Sequence, residues 1–202
     1  MSDPMSDTQV LPPKSPSQNE TLFKLACDTP SDTYLHLPKL REIAGQCGHV
    51  TEFGNWTGTS LCALLMGLLD SPEARRKLVA VDINPDYQAA ARKRVETFWS
   101  EGVEVEYRVG STLEVDIEET DFLFIDSWHC YGQLRDELAR HSARVRRYIF
   151  GHDWAAFGFT GEDLKSPGLV AAVEEFLADH PEWEMCYETD VNNGLFGLRR
   201  VQ

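Results

Sequence analysis

The chain has 202 residues, of which 42% are hydrophobic and 26% charged, the composition of one soluble globular domain. Its 33 acidic against 19 basic residues give a formal net charge of −14, which repels phosphate backbones and anionic lipid and so disfavours nucleic-acid and membrane partners. Five cysteines (Cys27, Cys47, Cys62, Cys130, Cys186) form no CxxC pair, which points to a reducing compartment, with cytoplasm as the expectation, and away from disulfide or zinc-knuckle scaffolds.

Residues 1–20 are rich in Ser, Pro, Asp and Gln and lack the basic start and apolar stretch of a secretory signal. They read as a flexible tail, and residues 21–202 as one folded domain. Residues 34–46 form a helix that gathers Leu37, Leu40, Ile43 and Ala44 on one face. Residues 49–53 form a first strand, stopped by Gly54. Residues 58–69 follow as a strongly apolar, buried helix, and the apolar run within it is too short to span a bilayer. A second strand, residues 78–82, is apolar until Asp82. Pro85 sits just inside the next helix, which runs to about residue 99.

Residues 103–109 alternate apolar and polar as a half-exposed strand. Residues 122–126 give a fourth strand, again ending in an acid, Asp126. A helix at 131–142 leads to a fifth strand at 147–150, which ends at Gly151-His152-Asp153. A Gly-rich loop reaches Pro167, a helix covers 168–180, and two strands, 183–187 and 194–198, close the chain through an Asn193-Gly194 turn. Apolar strands separated by helices imply a mostly parallel sheet covered on both faces, and a strand entered by a hairpin runs antiparallel. The expected fold is α/β: a three-layer, doubly wound, seven-stranded Rossmann-like sheet with an antiparallel last strand.

Ligands of such sheets bind beyond the carboxyl ends of the strands. Those ends carry Glu52 and Gly54, Asp82, Gly110 and Ser111, Asp126, and His152 with Asp153. Taken singly, each acid also reads as a helix cap. The first turn, Glu52-Phe53-Gly54-Asn55-Trp56-Thr57-Gly58-Thr59-Ser60, lacks the GxGxxG dinucleotide cradle, which makes a dehydrogenase the weakest reading. Gly54 and Gly58 let the backbone approach a ligand, and the helix N-terminus at Thr59 and Ser60 offers N–H groups to a carboxylate. Glu52 is placed to accept from an ammonium group and Asp82 from both hydroxyls of a ribose. An amino acid joined to a ribose describes S-adenosylmethionine.

Residues 50–60, the strand that ends at Asp82 and residues 121–131 resemble a class I S-adenosylmethionine-dependent methyltransferase, over roughly residues 31–200. The run Phe124-Ile125-Asp126-Ser127-Trp128-His129-Cys130-Tyr131 is similar to the fourth-strand motif of the catechol, caffeoyl-CoA and macrocin type of small-molecule O-methyltransferase. That resemblance implies Asp126 as a metal ligand beside the cofactor, His129 as general base, Asp153 as a second ligand with His152 at the third ligand position, a divalent Mg²⁺ or Mn²⁺, and Ser111 against the adenine. His152 departs from the oxygen-ligand pattern of that branch and also reads as a residue that orients Asp153. The expected acceptor is a small hydroxylated molecule, a sugar or natural product. N-methylation with the same cofactor, and a non-catalytic nucleoside- or partner-binding module, are the alternatives. His36 and Asp32 precede the sheet and are candidates to reach the acceptor, with a helix cap the simpler account of Asp32; Trp56, Trp128, Trp154 and Phe157 are candidates for the acceptor or adenine walls, or for the core. Cys130 lacks any activating neighbour and is not a nucleophile.

Overall fold

The computed structural model describes residues 14–201. Seven strands form one sheet in the order β3-β2-β1-β4-β5-β7-β6. They are β1 (His49–Phe53), β2 (Lys77–Asp82), β3 (Glu104–Val109), β4 (Thr120–Ile125), β5 (Val145–His152), β6 (Trp183–Thr189) and β7 (Leu195–Arg200). Neighbours are parallel except where β7 inserts between β5 and β6, antiparallel to both. The expected topology therefore holds.

The helices are α1 (Pro16–Asp28), α2 (Leu37–Ala44), α3 (Thr59–Asp70), α4 (Pro85–Val95), α5 (Tyr131–His141) and α6 (Leu169–Asp179). Alternate strand residues feed two cores. Val50, Leu78, Phe122 and Phe150 pack with α2, α3 and α4 on one face. Val79, Leu123 and Ile149 pack with α5 and α6 on the other. This follows from the pleat, which sends successive side chains to opposite faces. α3 is buried from Ser60 to Leu68, so an apolar face is present all round it.

Two expectations change. Helix α1 begins at Pro16, inside the stretch expected to be a tail. Residues 1–13 of that stretch lie outside the described residues. Its start is a cap: Ser15 accepts from the Gln18 N–H, and Pro16 fills the first turn. α1 is held by Phe23, buried in the first core with Leu22 and Ala26 beside it, and by polar contacts. The buried Asn19 donates to the Trp99 carbonyl at 2.7 Å and accepts from the Trp99 N–H at 2.8 Å, while Arg41 bridges Glu20 and Asp70. The strand–helix alternation also breaks between β3 and β4, where residues 110–119 cross back without a helix and contribute Ile117 to the second core.

The chain winds outward from β1 to β3 and then returns to β4, so β1 and β4 flank the switch in strand order. Among the described residues no helix is long and apolar enough to cross a membrane. All five cysteines are free.

Candidate active site

A cavity of about 570 Å³ opens over the carboxyl ends of β1, β2 and β4. Gly54, Thr59, Ser60, Asp82 and Ser111 line one side of it, and Asp126, His129 and Asp153 the other. The structure thus gathers most of the residues singled out in the sequence around one space. Three lie outside its lining: Glu52, Gly58 and His152.

The turn after β1 is built by two left-handed glycines, Gly54 (φ 75°) and Gly58 (φ 78°). Their smallness is required by the protein's own packing. A Cβ on Gly54 would strike the Asp126 carbonyl, and one on Gly58 would come within 2.9 Å of the Ala91 Cα in α4. The β1 turn is thereby seated with Gly54 on the β4 turn and Gly58 on α4.

Asp82 latches that turn. Its Oδ2 accepts from the Asn55 N–H at 3.0 Å and the Trp56 N–H at 3.1 Å, and its Oδ1 from the Asn84 N–H at 2.8 Å. Three of about four acceptor sites on a carboxylate are then used, which leaves room for one hydroxyl and not the two expected. Glu52 lies beneath the turn, fully buried, and neither carboxylate oxygen has a hydrogen-bond partner among the described residues. Burial pushes its carboxyl well above the usual range; the Ser60 hydroxyl opposes the shift, and the charges of Asp126 and Asp82 add to it. Glu52 therefore tends toward the neutral acid and does not itself face the cavity.

The floor between the β3 and β4 turns is a buried carboxylate, Glu137 of α5. Its Oε1 accepts from Thr112 at 2.5 Å, Ser127 at 2.7 Å and Gln133 at 2.8 Å. Burial raises this carboxyl against the pull of those three donors. The network fixes Thr112 at the cavity edge, beside Ser111.

On the opposite wall four side chains converge. The register that pairs Ile125 with Gly151 sets Asp126 beside His152 in the next strand. Asp126 Oδ1 lies 3.1 Å from His152 Nδ1 and 3.2 Å from His129 Nε2. Asp153 Oδ2 lies 3.1 Å from His129 Nε2 and 3.4 Å from His152 Nδ1. Burial alone would raise the Asp126 carboxyl, but the two imidazoles outweigh it and hold it well below the usual carboxylate range. Burial alone would lower both imidazoles, but the carboxylates hold them above the ordinary histidine value. His36 packs edge-on against His152 with ring centroids 5.5 Å apart; burial, and then the His152 charge, push it down to about 4.

Sequence reasoning missed Glu162. It arrives from the loop between β5 and α6 and sets Oε2 3.2 Å from His129 Nδ1. An isolated acid in an irregular loop carries no periodic signal. That loop is tied down: Glu162 N–H donates to the His129 carbonyl, and Asp163 caps the Lys165 and Ser166 N–H groups. Of the candidate wall residues, Trp56, Trp128 and Asp32 line the cavity, and Phe157 stacks on His129 with centroids 5.5 Å apart. Trp154 packs instead into the core on Phe196, with its N–H donated to Glu188.

The implied Mg²⁺ does not fit these donors. Mg²⁺ takes an octahedron of oxygens and keeps several waters, whereas half of the four converging groups are imidazoles.

No protein-family model and no curated protein sequence matches the chain. Solved structures match over nearly its whole length. An O-methyltransferase from Bacillus cereus in complex with SAH superposes with a TM-score of 0.65 at 20% identity, covering 95% of this chain and 93% of that one. An SAH-bound methyltransferase from Podospora anserina gives 0.63 at 18%, covering 95% and 91%. Magnesium protoporphyrin IX methyltransferase from Synechocystis, with SAM bound, gives 0.60 at 9%, covering 91% and 92%. The chain has the fold of these methyltransferases.

Proposed function

We propose that the chain binds S-adenosylmethionine and transfers its methyl group to an oxygen of a small hydroxylated acceptor. The observation that carries this reading is the single cavity that joins the Gly54, Asp82 and Ser111 edge to the carboxylate–imidazole wall. The fold's neighbours are crystallised with SAH or SAM, which supports the same cofactor for this space.

In this reading the N-terminus of α3, with Thr59 and Ser60, receives the cofactor carboxylate, since the first N–H groups of a helix lack internal partners. Asp82 accepts one ribose hydroxyl through its remaining lone pair, and Ser111 and Thr112 border the adenine. The sulfonium is an activated donor, so the protein's task is to hold the acceptor oxygen in line and take up its proton. The acceptor oxygen bonds to the methyl carbon as the carbon–sulfur bond breaks. The electron pair stays on sulfur to give the neutral thioether SAH, and the hydroxyl proton leaves to Glu162, which lines the wall and opens to solvent. His129 was expected to be this base. Both of its nitrogens face carboxylates, which leaves none free to receive a proton, and its role in this reading is to position Glu162. An acid-lined wall suits a hydroxyl that must lose a proton, which favours oxygen over nitrogen as acceptor.

The test is calorimetric titration of the purified chain with SAM and SAH, together with a mass-spectrometric screen of hydroxylated metabolites for a mass gain of one CH₂. Binding of SAH with micromolar or tighter affinity and a methylated product support the reading. A chain that binds neither nucleoside refutes it.

A further inference from the structure

The amino-terminal end of β5 lies beside the carboxyl end of β7, because the antiparallel register sets Tyr148 opposite Arg199. Arg146, Arg147, Tyr148, Arg199, Arg200 and Val201 line a cavity of about 250 Å³ there. Since β5 runs parallel to β4, this cavity lies at the edge of the sheet opposite the candidate active site. Four of the chain's 19 Lys and Arg side chains thus share one small hollow of a protein whose net charge is −14.

Two of the four are neutralised. Arg146 pairs with Glu119 and Arg199 with Glu184, each at 2.5 Å. Among the described residues neither Arg147 nor Arg200 has a carboxylate partner. Each spends an N–H on a backbone carbonyl instead, Arg147 on Gln46 and Arg200 on Ser142 at 2.9 Å. Glu182, just before β6, pairs with His180 at 3.3 Å. The Arg200 Nε is buried and has no acceptor among the described residues. A guanidinium carries five N–H donors, so both are far from satisfied. Both also sit over aromatic rings, Arg147 at 5.2 Å from the Tyr148 centroid and Arg200 at 4.8 Å from that of Trp183. Stacking fixes the two forks in advance, which leaves little side-chain freedom to lose when an anion arrives.

Two uncompensated guanidiniums call for two negative charges. A phosphate monoester brings about −1.5 to −2 at neutral pH and three acceptor oxygens that guanidinium forks match. A carboxylate brings one charge and leaves one cation unpaired. The hollow is a little smaller than the roughly 300–1,000 Å³ of drug-sized ligand sites, a size for a small metabolite and not for a macromolecule.

We propose that Arg147 and Arg200 form an anion site for the phosphate group of a small phosphorylated molecule, remote from the methyl-transfer cavity and independent of that reading. The test titrates inorganic phosphate into the full chain at low salt, followed by calorimetry and phosphorus NMR line width, with sulfate and acetate as competitors. Expected are one phosphate per chain with millimolar or tighter affinity, displacement by sulfate, and little displacement by acetate at the same concentration. Arg147→Gln and Arg200→Gln should each weaken phosphate binding by at least about tenfold, the loss of one charge-assisted hydrogen bond, with an unchanged far-ultraviolet circular dichroism spectrum. Arg147→Lys keeps the charge without the fork, so it should fold even if the Gln variants do not and should still bind more weakly than wild type. No saturable phosphate binding by the wild-type chain overturns the inference. Wild-type affinity in the Arg147 and Arg200 variants places the phosphate elsewhere and overturns it too, as does acetate competing equally with sulfate.

Discussion

Asp82→Ala separates the two tasks assigned to one carboxylate. The side chain holds three backbone N–H groups. Asn55 is buried, so its N–H loses an acceptor that water cannot easily replace, whereas Trp56 is exposed and Asn84 partly so. An unsatisfied buried donor costs about 1–3 kcal/mol, and the two accessible groups add less, for a total of about 2–4 kcal/mol. For a domain of this length that lowers Tm by roughly 5–15 °C. Cofactor binding loses one charge-assisted hydrogen bond to a ribose hydroxyl, worth about 1.5–3 kcal/mol, which raises Kd by roughly 10- to 150-fold. Calorimetry with SAH measures the affinity, and differential scanning calorimetry the stability, below the Tm of the variant. Asp82→Asn is the companion variant. Its single oxygen can hold two N–H groups, but its NH₂ then faces the third donor or the hydroxyl, so binding falls while most of the stability returns. An Asp82→Ala chain that is folded and binds SAH within about threefold of wild type would refute the ribose assignment.

Three further outcomes are expected. Gly58→Ala forces a side chain into left-handed backbone and against the Ala91 Cα; a loss of about 2–4 kcal/mol should appear in urea unfolding, and an unchanged midpoint would count against the packing described. Glu52, facing Asp82, Asp126 and the Ser60 hydroxyl, has a folded-state pKa raised above its unfolded value, so its contribution to stability is complete below the unfolded pKa and is lost as pH rises through the folded one. Glu52→Gln removes that loss: its Tm relative to wild type should climb as pH rises above the ordinary glutamate range, and parallel curves would show that Glu52 is not held neutral. Glu162→Gln should lower kcat while leaving SAH affinity intact and stability within about 1 kcal/mol, since Glu162 is half exposed; unchanged turnover would move the proton acceptor elsewhere.

The sequence by itself determined the sheet, its reversed last strand and the acids at the strand ends. Those features rest on local physics: apolar runs of strand length, glycine and Asn-Gly turns, and helices punctuated by Pro85 and Gly168. It did not disclose the start of α1, because that helix carries a single buried apolar anchor, Phe23, and its first turns are fixed by Asn19 against a backbone 80 residues away, a contact without periodicity. Tertiary structure alone decided what the singled-out groups do. Register placed His152 beside Asp126, the loop carried Glu162 onto His129, and the turn spent most of the Asp82 acceptors on its own backbone. A carboxylate or imidazole in a sequence shows only which bonds it can make. Which bonds remain for a ligand depends on neighbours that only the folded chain brings within about 3 Å.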